Sequence, residues 1–241
     1  MITYILPCAG LGTRLGLPYP KEIHRIQPGV SLIDFSLAHI TEDIPSTEKV
    51  VIVLTPGKEK VATYAESKLS NMTKVERVYF NDRYSEWPGS IHSAETHFGE
   101  YNVALLPDSI LTTKPHETLA TQYSAAFDEG ADLVFACVNE ASRQRLSSLG
   151  ALYVKDSRVV HFCDKPLESE PTQFNAFWAS FGFRREVGPK VLDFMMKSVA
   201  REKVNLDTLG LNVSAFAVDN YVDLGTWPSI ASHLDARNLV E

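Results

Sequence analysis

The chain has 241 residues, of which 44% are hydrophobic and 22% are charged, and its formal net charge is −7. This length and composition are typical of one sizeable α/β domain with a well-buried core. The negative charge and the lack of a Lys/Arg-rich stretch disfavour nucleic acid as a partner. A small anionic substrate is not excluded, because it needs only a few local cations.

Cysteine usage and hydropathy indicate the compartment. Cys8, Cys137 and Cys163 are far apart in the sequence and lack metal-ligand spacing, so we expect buried, reduced thiols and no disulfide. The apolar run 2–6 is too short for a signal peptide and has no basic leader, and no stretch approaches a membrane-spanning length. We therefore expect a cytoplasmic protein with no membrane partner.

Strand and helix patterns alternate along the chain. The run 2–6 predicts a buried strand, and Ser31 is expected to cap a helix that has Asp34 in its first turn. This alternation, with largely apolar strands, predicts a parallel sheet that is covered on both faces and binds ligands at the carboxyl ends of its strands. Further predicted strands are 50–54, 75–80, 103–106, 133–138, 151–154, 159–163, 177–183 and 213–218, and further predicted helices are 61–69, 119–127, 187–199 and 230–239.

The loop after the first strand carries the strongest chemical signal. Residues 10–14 read Gly-Leu-Gly-Thr-Arg, and Pro-Lys-Glu follows at 20–22. Glycines let the backbone approach an anion, loop N–H groups can point at phosphate oxygens, and Arg14 and Lys21 supply positive charge. The spacing fits neither a dinucleotide fingerprint, because Gly16 comes one residue late, nor a Walker loop. An ordinary strand-to-loop turn is the alternative, and the two cations disfavour it.

A carboxylate also follows a predicted strand. Asp108 comes directly after the run 103–107, at the edge where ligands bind. Magnesium prefers few protein carboxylates, with phosphates and waters as its other ligands. Asp108 is therefore a candidate magnesium ligand, and a turn or helix-cap aspartate is the alternative.

The segments 10–15 and 20–22 together resemble the signature of the nucleotidyltransferases that join an NTP to a sugar 1-phosphate. The glucose-1-phosphate thymidylyltransferases and uridylyltransferases belong to this family. The resemblance implies a three-layer α/β/α, Rossmann-like nucleotidyltransferase fold with a mostly parallel central sheet. It implies one domain over 1–241, with a nucleotide-binding half at about 1–130 and an acceptor-binding half at about 131–241. The resemblance extends over nearly all of the chain, through five ordered motifs around Gly10, Lys21, Asp108, Lys165 and Asp223.

The resemblance also implies a reaction and roles for residues. An NTP and a sugar 1-phosphate would give an NDP-sugar and pyrophosphate, with Mg²⁺ held by Asp108 and Asp223. Lys165 would hold the acceptor phosphate, although Asp164 stands where the family has a longer glutamate. Arg14, Lys21 and Lys165 would be catalytic. The implied nucleotide-binding residues are Leu6, Ala9, Gly10, Gly12, Thr13, Arg14, Lys21, Gly89 and Asp108, and the implied acceptor-binding residues are Gly150, Asp164, Lys165 and Ser180.

The segment 81–94 departs most from the family pattern. Gly89 matches, but the glutamine that often reads a pyrimidine is missing, and His92 stands where Asp or Gln is usual. Tyr84 and Trp87 could either stack on a base or pack in the core. The resemblance favours a pyrimidine NTP, but the residues leave the nucleobase open.

The acceptor is open as well. Phe181 stands where the family usually has glycine, and a bulkier wall there would suit a smaller or unusual acceptor. A cytidylyltransferase for a polyol or amino-alcohol phosphate is therefore an alternative, and a non-catalytic nucleotide-binding protein is another. The histidine spacing and the lack of a Gly-x-Ser-x-Gly elbow give little support to a zinc enzyme or a hydrolase. The resemblance also suggests a homo-oligomer.

Overall fold

The computed structural model of this protein describes residues 1–69, 72–83, 86–167, 173–202 and 205–238. The strands are β1 (Ile2–Pro7), β2 (Arg25–Gln27), β3 (Val30–Ser31), β4 (Thr47–Leu54), β5 (Lys74–Tyr79), β6 (Tyr101–Ala104), β7 (Ser109–Thr112), β8 (Leu133–Asn139), β9 (Gly150–Lys155), β10 (Arg158–Asp164), β11 (Ala176–Arg184), β12 (Val213–Ala217) and β13 (Asn220–Asp223). The helices are α1 (Asp34–Glu42), α2 (Glu59–Leu69), α3 (Glu86–His92), α4 (Leu119–Asp128), α5 (Arg143–Leu146), α6 (Gly188–Val199) and α7 (Trp227–Asn238).

Nine strands form one sheet in the order β5-β4-β1-β6-β11-β8-β12-β10-β9. The first four pair in parallel, and β12 is parallel to β8. The remaining pairings are antiparallel: β11 with β6, β8 and β9, and β10 with β9 and β12. The sheet is therefore mixed, and the prediction of a mostly parallel sheet is wrong beyond β6.

One local feature explains an antiparallel pairing in the second half, and another explains why the strand directions could not be predicted. Between β9 and β10, Asp156 and Ser157 both have left-handed backbones, with φ of 49° and 61°. Such a two-residue turn makes a hairpin, and a hairpin cannot join parallel strands. The central strand β11 is buried on both faces, so its apolar run looks like that of a parallel strand. Its direction therefore could not be inferred from hydrophobicity alone.

The core lies on both faces of the sheet because strand side chains alternate between them. Along β1, Tyr4 and Leu6 belong to one hydrophobic cluster, which includes buried side chains of α1, α2 and α4. Ile5 belongs to another cluster, which includes buried side chains of α3 and α6. Helices on both faces leave the ends of the strands as the open edges of the sheet.

The start of α1 differs from the prediction. Ser31 lies in β3 and does not cap the helix, which begins at Asp34. The Asp34 carboxylate instead accepts hydrogen bonds from the Ser31 backbone N–H and the Tyr64 hydroxyl, both at 2.7 Å. The turn 24–31 is thus taken up by the small β2–β3 hairpin, which the apolar pattern did not reveal.

A second small ladder, between β7 and β13, was also missed. These strands pair antiparallel, with Asp223 opposite Ser109 and Asn220 opposite Thr112. Each strand has only four residues, too few for a clear alternating pattern. The ladder brings residues that are more than a hundred positions apart in the sequence to the same place.

The cysteines match the prediction of free thiols in all three cases and the prediction of burial in two. All three are free, and Cys8 and Cys137 are buried, whereas Cys163 is half-buried. Burial raises the pKa of the Cys137 thiol to about 11 and raises that of Cys8 as well, so both stay protonated near neutral pH. Among the described residues, no helix is both long and apolar enough to span a bilayer.

Candidate active site

A cleft of about 860 Å³ opens at the carboxyl ends of the parallel strands. Pro7 ends β1, Thr55 follows β4, Phe80 follows β5 and Leu106 follows β6, and all four line the cleft. This is the edge at which ligands were expected to bind. Ten of the predicted site residues also line it: Ala9, Gly10, Thr13, Arg14, Lys21, Asp108, Gly150, Asp164, Lys165 and Asp223.

Lys21 and Asp108 form an ion pair in this cleft. Lys21 opens a short 3₁₀ turn, and Asp108 precedes β7. Only 14% of the Lys21 side chain and 11% of the Asp108 side chain are exposed. Because water screens a buried pair weakly, this contact fixes both side chains more firmly than a surface pair would.

Arg14 and Asp223 form a second, more exposed ion pair. The guanidinium Nη1 lies 3.5 Å from Asp223 Oδ2, and the two side chains are 58% and 45% exposed. Asp223 Oδ1 accepts a hydrogen bond from the Gly225 backbone N–H at 2.7 Å. A pair this exposed is worth about 1 kcal/mol or less, so Arg14 can leave Asp223 for an anionic ligand at small cost.

The two aspartates are brought together by the β7–β13 ladder. Asp223 is paired with Ser109, and the Leu224 N–H donates to the Asp108 carbonyl at 2.8 Å. Among the described residues, no group of three or more His, Cys, Asp or Glu side chains could hold a metal. Asp108 and Asp223 nevertheless both line the cleft, and two carboxylates could hold magnesium, which takes its remaining ligands from phosphates and water.

A buried ion pair lies beneath the loop 8–11. The Lys58 ammonium lies 2.9 and 3.0 Å from the two oxygens of the Glu22 carboxylate. It also donates to the Cys8 carbonyl at 2.8 Å and to the Gly10 carbonyl at 2.5 Å. Burial raises the pKa of the Glu22 carboxyl, and the neighbouring Lys58 ammonium opposes that shift. Lys58 has no local sequence signal except its position shortly after the end of β4, so it was not among the predicted site residues.

The far side of the cleft is built on the β9–β10 hairpin. Gly150 and Asp164 are register partners at its open end, and the Lys165 N–H donates to the Leu149 carbonyl at 2.9 Å. A Cβ at Gly150 would lie 1.9 Å from the indole nitrogen of Trp178, so this side chain packs directly on the glycine. Burial raises the pKa of the Asp164 carboxyl, and nearby Lys165 lowers it.

Aromatic side chains cover this part of the cleft. Trp87 and Trp178 both line it, with ring centroids 5.0 Å apart. Phe181 is fully buried beneath them and touches both rings edge-on, so it supports the wall rather than forming it. The expectation that Phe181 itself lines the acceptor pocket is therefore wrong. Trp178 was not singled out from the sequence, where it reads as one more apolar residue of β11.

Four predicted site residues do not line the cleft. Leu6 is fully buried in the core, and Gly89 is buried within α3. Gly12 has a left-handed backbone (φ 67°) and packs on the Lys21 side chain, so it supports the site indirectly. Ser180 is fully buried, accepts from the Tyr123 hydroxyl and donates to the Ala104 carbonyl, both at 2.9 Å. Its prediction as an acceptor ligand is wrong, since its hydroxyl is already used within the core.

His92 and Tyr84 were also singled out in the segment 81–94. His92 does not line the cleft, and its Nδ1 lies 3.3 Å from a Glu95 carboxylate oxygen. Tyr84 lies outside the described residues. Glu86 and Ser90 line the cleft instead, and no local pattern singles them out.

The fold matches solved structures of sugar-nucleotide enzymes. An apo UDP-glucose pyrophosphorylase is 16% identical and superposes over 99% of this chain and 98% of that chain, with a TM-score of 0.77. A UTP-bound UGPase from Acinetobacter baumannii is 16% identical over 100% and 95% of the two chains, with a TM-score of 0.76. A candidate glucose-1-phosphate thymidylyltransferase from Bacillus anthracis is 12% identical over 98% and 95%, with a TM-score of 0.75. No protein-family model and no curated protein sequence matches the chain.

At these identities the likeness shows the fold alone, and it agrees with the α/β class that the resemblance implied, though not with a mostly parallel sheet. The likeness extends over nearly the whole length of both chains. The roles of individual residues do not follow from this likeness and must be argued from the cleft itself.

Replacing Ser180 with Ala tests its placement in the core. The change leaves the buried Tyr123 hydroxyl without its acceptor, so we expect the free energy of unfolding to fall by about 1–3 kcal/mol in urea denaturation. Ser67→Ala, at an exposed position of α2, is the control and should change stability by less than about 0.5 kcal/mol. If the S180A protein is instead as stable as the wild type and binds the acceptor substrate more weakly, Ser180 is a binding residue and the core placement is contradicted.

Replacing Gly225 with Ala tests the position of Arg14. The new Cβ would lie 2.5 Å from Arg14 Nη2 and 2.8 Å from Asp223 Oδ1, so both ends of the Arg14–Asp223 pair are expected to move while the fold is kept. Catalytic turnover should fall by roughly 100-fold, since a misplacement of about 1 Å can cost that much. Adding Arg14→Ala to G225A should then cost little more, because both changes remove the same interaction. Fully additive losses would contradict this account.

Proposed function

We propose that this protein is a nucleotidylyltransferase that makes an NDP-sugar and pyrophosphate from an NTP and a sugar 1-phosphate. The observation that supports this most is the cleft itself, which gathers Arg14, Lys21, Asp108 and Asp223 on one side and Lys165 on the other. The fold agrees, since one similar structure is a UDP-glucose pyrophosphorylase complexed with UDP-glucose and another is bound to UTP.

Catalysis of the proposed reaction depends mainly on neutralising charge and on positioning the NTP and the acceptor phosphate. A phosphate oxygen of the acceptor attacks the α-phosphorus in line, the bond to the bridging oxygen breaks, and pyrophosphate leaves. Both reactants are anions, so their repulsion must be screened before they can meet. The cations of the cleft, together with backbone N–H groups of the first loop, can supply that screening.

Each cation has a proposed role that suits its exposure. Arg14 is more than half exposed and weakly paired, so it is suited to follow the charge of the leaving pyrophosphate. Lys21 is mostly buried and firmly held, so it is suited to stabilise the charge that develops at the α-phosphate. Lys165 is exposed on the hairpin side, where it can orient the acceptor phosphate.

Asp108 and Asp223 would hold Mg²⁺ in this proposal. The fit rests on the adjacency of the two residues at the β7–β13 ladder and on their common place in the cleft, since magnesium takes few protein carboxylates and leaves ligand positions for phosphate. When bound, the ion supplies positive charge to the phosphate oxygens of the nucleotide. Arg14, whose contact with Asp223 is weak, would then be available to the nucleotide.

The proposed organisation follows from the same residues. We infer one domain over 1–241 in three α/β/α layers, with a nucleotide half at about 1–130 and an acceptor half at about 131–241. The cleft supports that division, because the loop 8–14, Lys21 and Asp108 lie on one side of it and the β9–β10 hairpin on the other. Asp223 is an exception, because it belongs to the second half of the sequence but pairs with Arg14 on the nucleotide side of the cleft. Free cysteines agree with a proposed cytoplasmic location.

A second candidate acceptor class has a specific observation in its favour. Trp87 and Trp178 form an aromatic wall beside Asp164, whose carboxyl pKa is raised by burial and also by neighbouring Glu86. Indole rings and carboxylates together suit a cationic group, because the rings attract cations and the carboxylates neutralise them. An amino-alcohol phosphate, transferred from CTP or another NTP, is therefore the alternative acceptor.

Removing charges from the cleft tests the proposed catalytic roles. Arg14→Ala and Asp223→Ala should each lower turnover by about 100-fold or more, as expected for groups that stabilise charge in the transition state. Their folding should be intact, since both side chains are about half exposed. The measurement is pyrophosphate release with Mg²⁺ for a productive substrate pair. Arg77→Ala, which removes an exposed Arg–Glu pair outside the cleft, is the matched control. Near wild-type turnover in both cleft variants would rule out these roles.

A substrate panel tests the reaction and separates the acceptors. We expect pyrophosphate release with at least one common NTP when a sugar 1-phosphate is supplied. Activity confined to amino-alcohol or polyol phosphates would favour the second class. In that case Trp178→Leu should raise the acceptor KM by about 30-fold, in line with the loss of a desolvated cation–π contact of about 2 kcal/mol, and leave the NTP KM nearly unchanged. NTP binding without turnover for any acceptor would indicate a binding protein instead of an enzyme.

A further inference from the structure

The Lys58 ammonium is almost fully buried and is surrounded by oxygen atoms. Ten per cent of the Lys58 side chain and none of the Glu22 side chain are exposed. The ammonium donates to the Cys8 and Gly10 carbonyls and to the Glu22 carboxylate at 2.5–3.0 Å. One cation thus joins three segments: the loop after β1, the turn before α2 and the 3₁₀ turn that begins at Lys21.

The geometry of the peptide bond gives these contacts a consequence. In a planar trans peptide, the C=O of one residue and the N–H of the next point in opposite directions. Because the Cys8 and Gly10 carbonyls point at buried Lys58, the N–H groups of Ala9 and Leu11 point away from it. Ala9 and Leu11 line the cleft, and Leu11 is 82% exposed. Two backbone donors are therefore turned toward the ligand side of the loop.

Glu22 extends this effect to Lys21. Both residues belong to the same 3₁₀ turn, so the contact of the buried Glu22 carboxylate with Lys58 fixes the position of this turn. Lys21 extends from the turn to Asp108. The Lys58–Glu22 contact therefore links the backbone donors of the loop to the cation of the cleft. A buried ion pair is weak evidence for stability, since well-packed apolar side chains often do as well. What apolar side chains cannot do here is hold two carbonyl groups.

We propose that Lys58 and Glu22 are positioning residues, which orient the N–H groups of Ala9 and Leu11 to donate to oxygen atoms of the bound NTP. This rests on the proposed function in so far as the ligand is an NTP. The competing view is that the pair serves stability alone. In that view, replacing both charges with neutral side chains of similar size would leave nucleotide binding unchanged.

The test is the double variant Lys58→Met/Glu22→Gln. It removes both charges and keeps their approximate volume, whereas Lys58→Met alone would leave a buried carboxylate without its partner. We expect the double variant to fold, with a Tm below that of the wild type, because the Cys8 and Gly10 carbonyls lose their donor. We also expect its Kd for Mg–NTP to rise by at least about tenfold, because the loop is no longer preorganised. The acceptor KM should change much less, since the hairpin side of the cleft is untouched.

Lys49→Met/Glu76→Gln is the matched control. Lys49 and Glu76 join β4 to β5 at 3.4 Å, and their side chains are 17% and 14% exposed, but neither lines the cleft. This control should leave the Kd for Mg–NTP unchanged, whatever it does to stability. Binding is measured by calorimetry with Mg²⁺ and each common NTP in turn, and Tm is measured by thermal denaturation without ligand.

The outcomes separate the two proposals. If the wild type binds an NTP and the K58M/E22Q protein binds it equally well, the positioning role is overturned and the proposed function stands. If the wild type binds no NTP, the proposed function is overturned, and the positioning role with it. A tenfold or greater loss of NTP affinity in K58M/E22Q, at a temperature where the variant is folded and with no loss in the control, supports the positioning role. If the double variant does not fold, the pair serves stability and the inference fails.

Discussion

The short ladder between β7 and β13 is the contact on which the nucleotide side of the cleft depends. It pairs Asp223 with Ser109 and directs the Leu224 N–H to the Asp108 carbonyl, so that two carboxylates far apart in the sequence become neighbours. Lys21 and Arg14 then find their partners on these carboxylates. Without the ladder, Asp223 would lose its place in the cleft and Arg14 would lose its partner.

The charges of the cleft differ in how firmly they are held. Lys21–Asp108 and Lys58–Glu22 are largely buried, where water screens them weakly and their geometry is set by the fold. Arg14–Asp223 is about half exposed and can reorganise around a ligand at small cost. The cleft thus combines firmly held charges with an exposed arginine, which in the proposed reaction could follow a moving charge. A transferase that releases pyrophosphate needs both properties.

The acceptor side is built differently. It rests on an antiparallel hairpin and on the central strand β11, which places Trp178 directly over Gly150. An aromatic wall beside Asp164 and Lys165 leaves less room than an open polar pocket would. Changes on this side would alter which phosphate is accepted, while the nucleotide side keeps the transfer chemistry. The two halves of the cleft can therefore be probed separately by NTP and acceptor binding.

Local sequence determined most of the elements and the nucleotide side of the site. Apolar runs and helical spacing located the strands of the sheet, and glycines and cations after β1 located the loop, because those signals lie within a few adjacent residues. Only the tertiary structure decided the mixed strand directions, since a buried antiparallel strand such as β11 has the same apolar pattern as a parallel one. It also decided that Ser180 is core, that Trp178 lines the cleft and that Lys58 holds the loop. Each of these depends on contacts between distant segments, which no local pattern encodes.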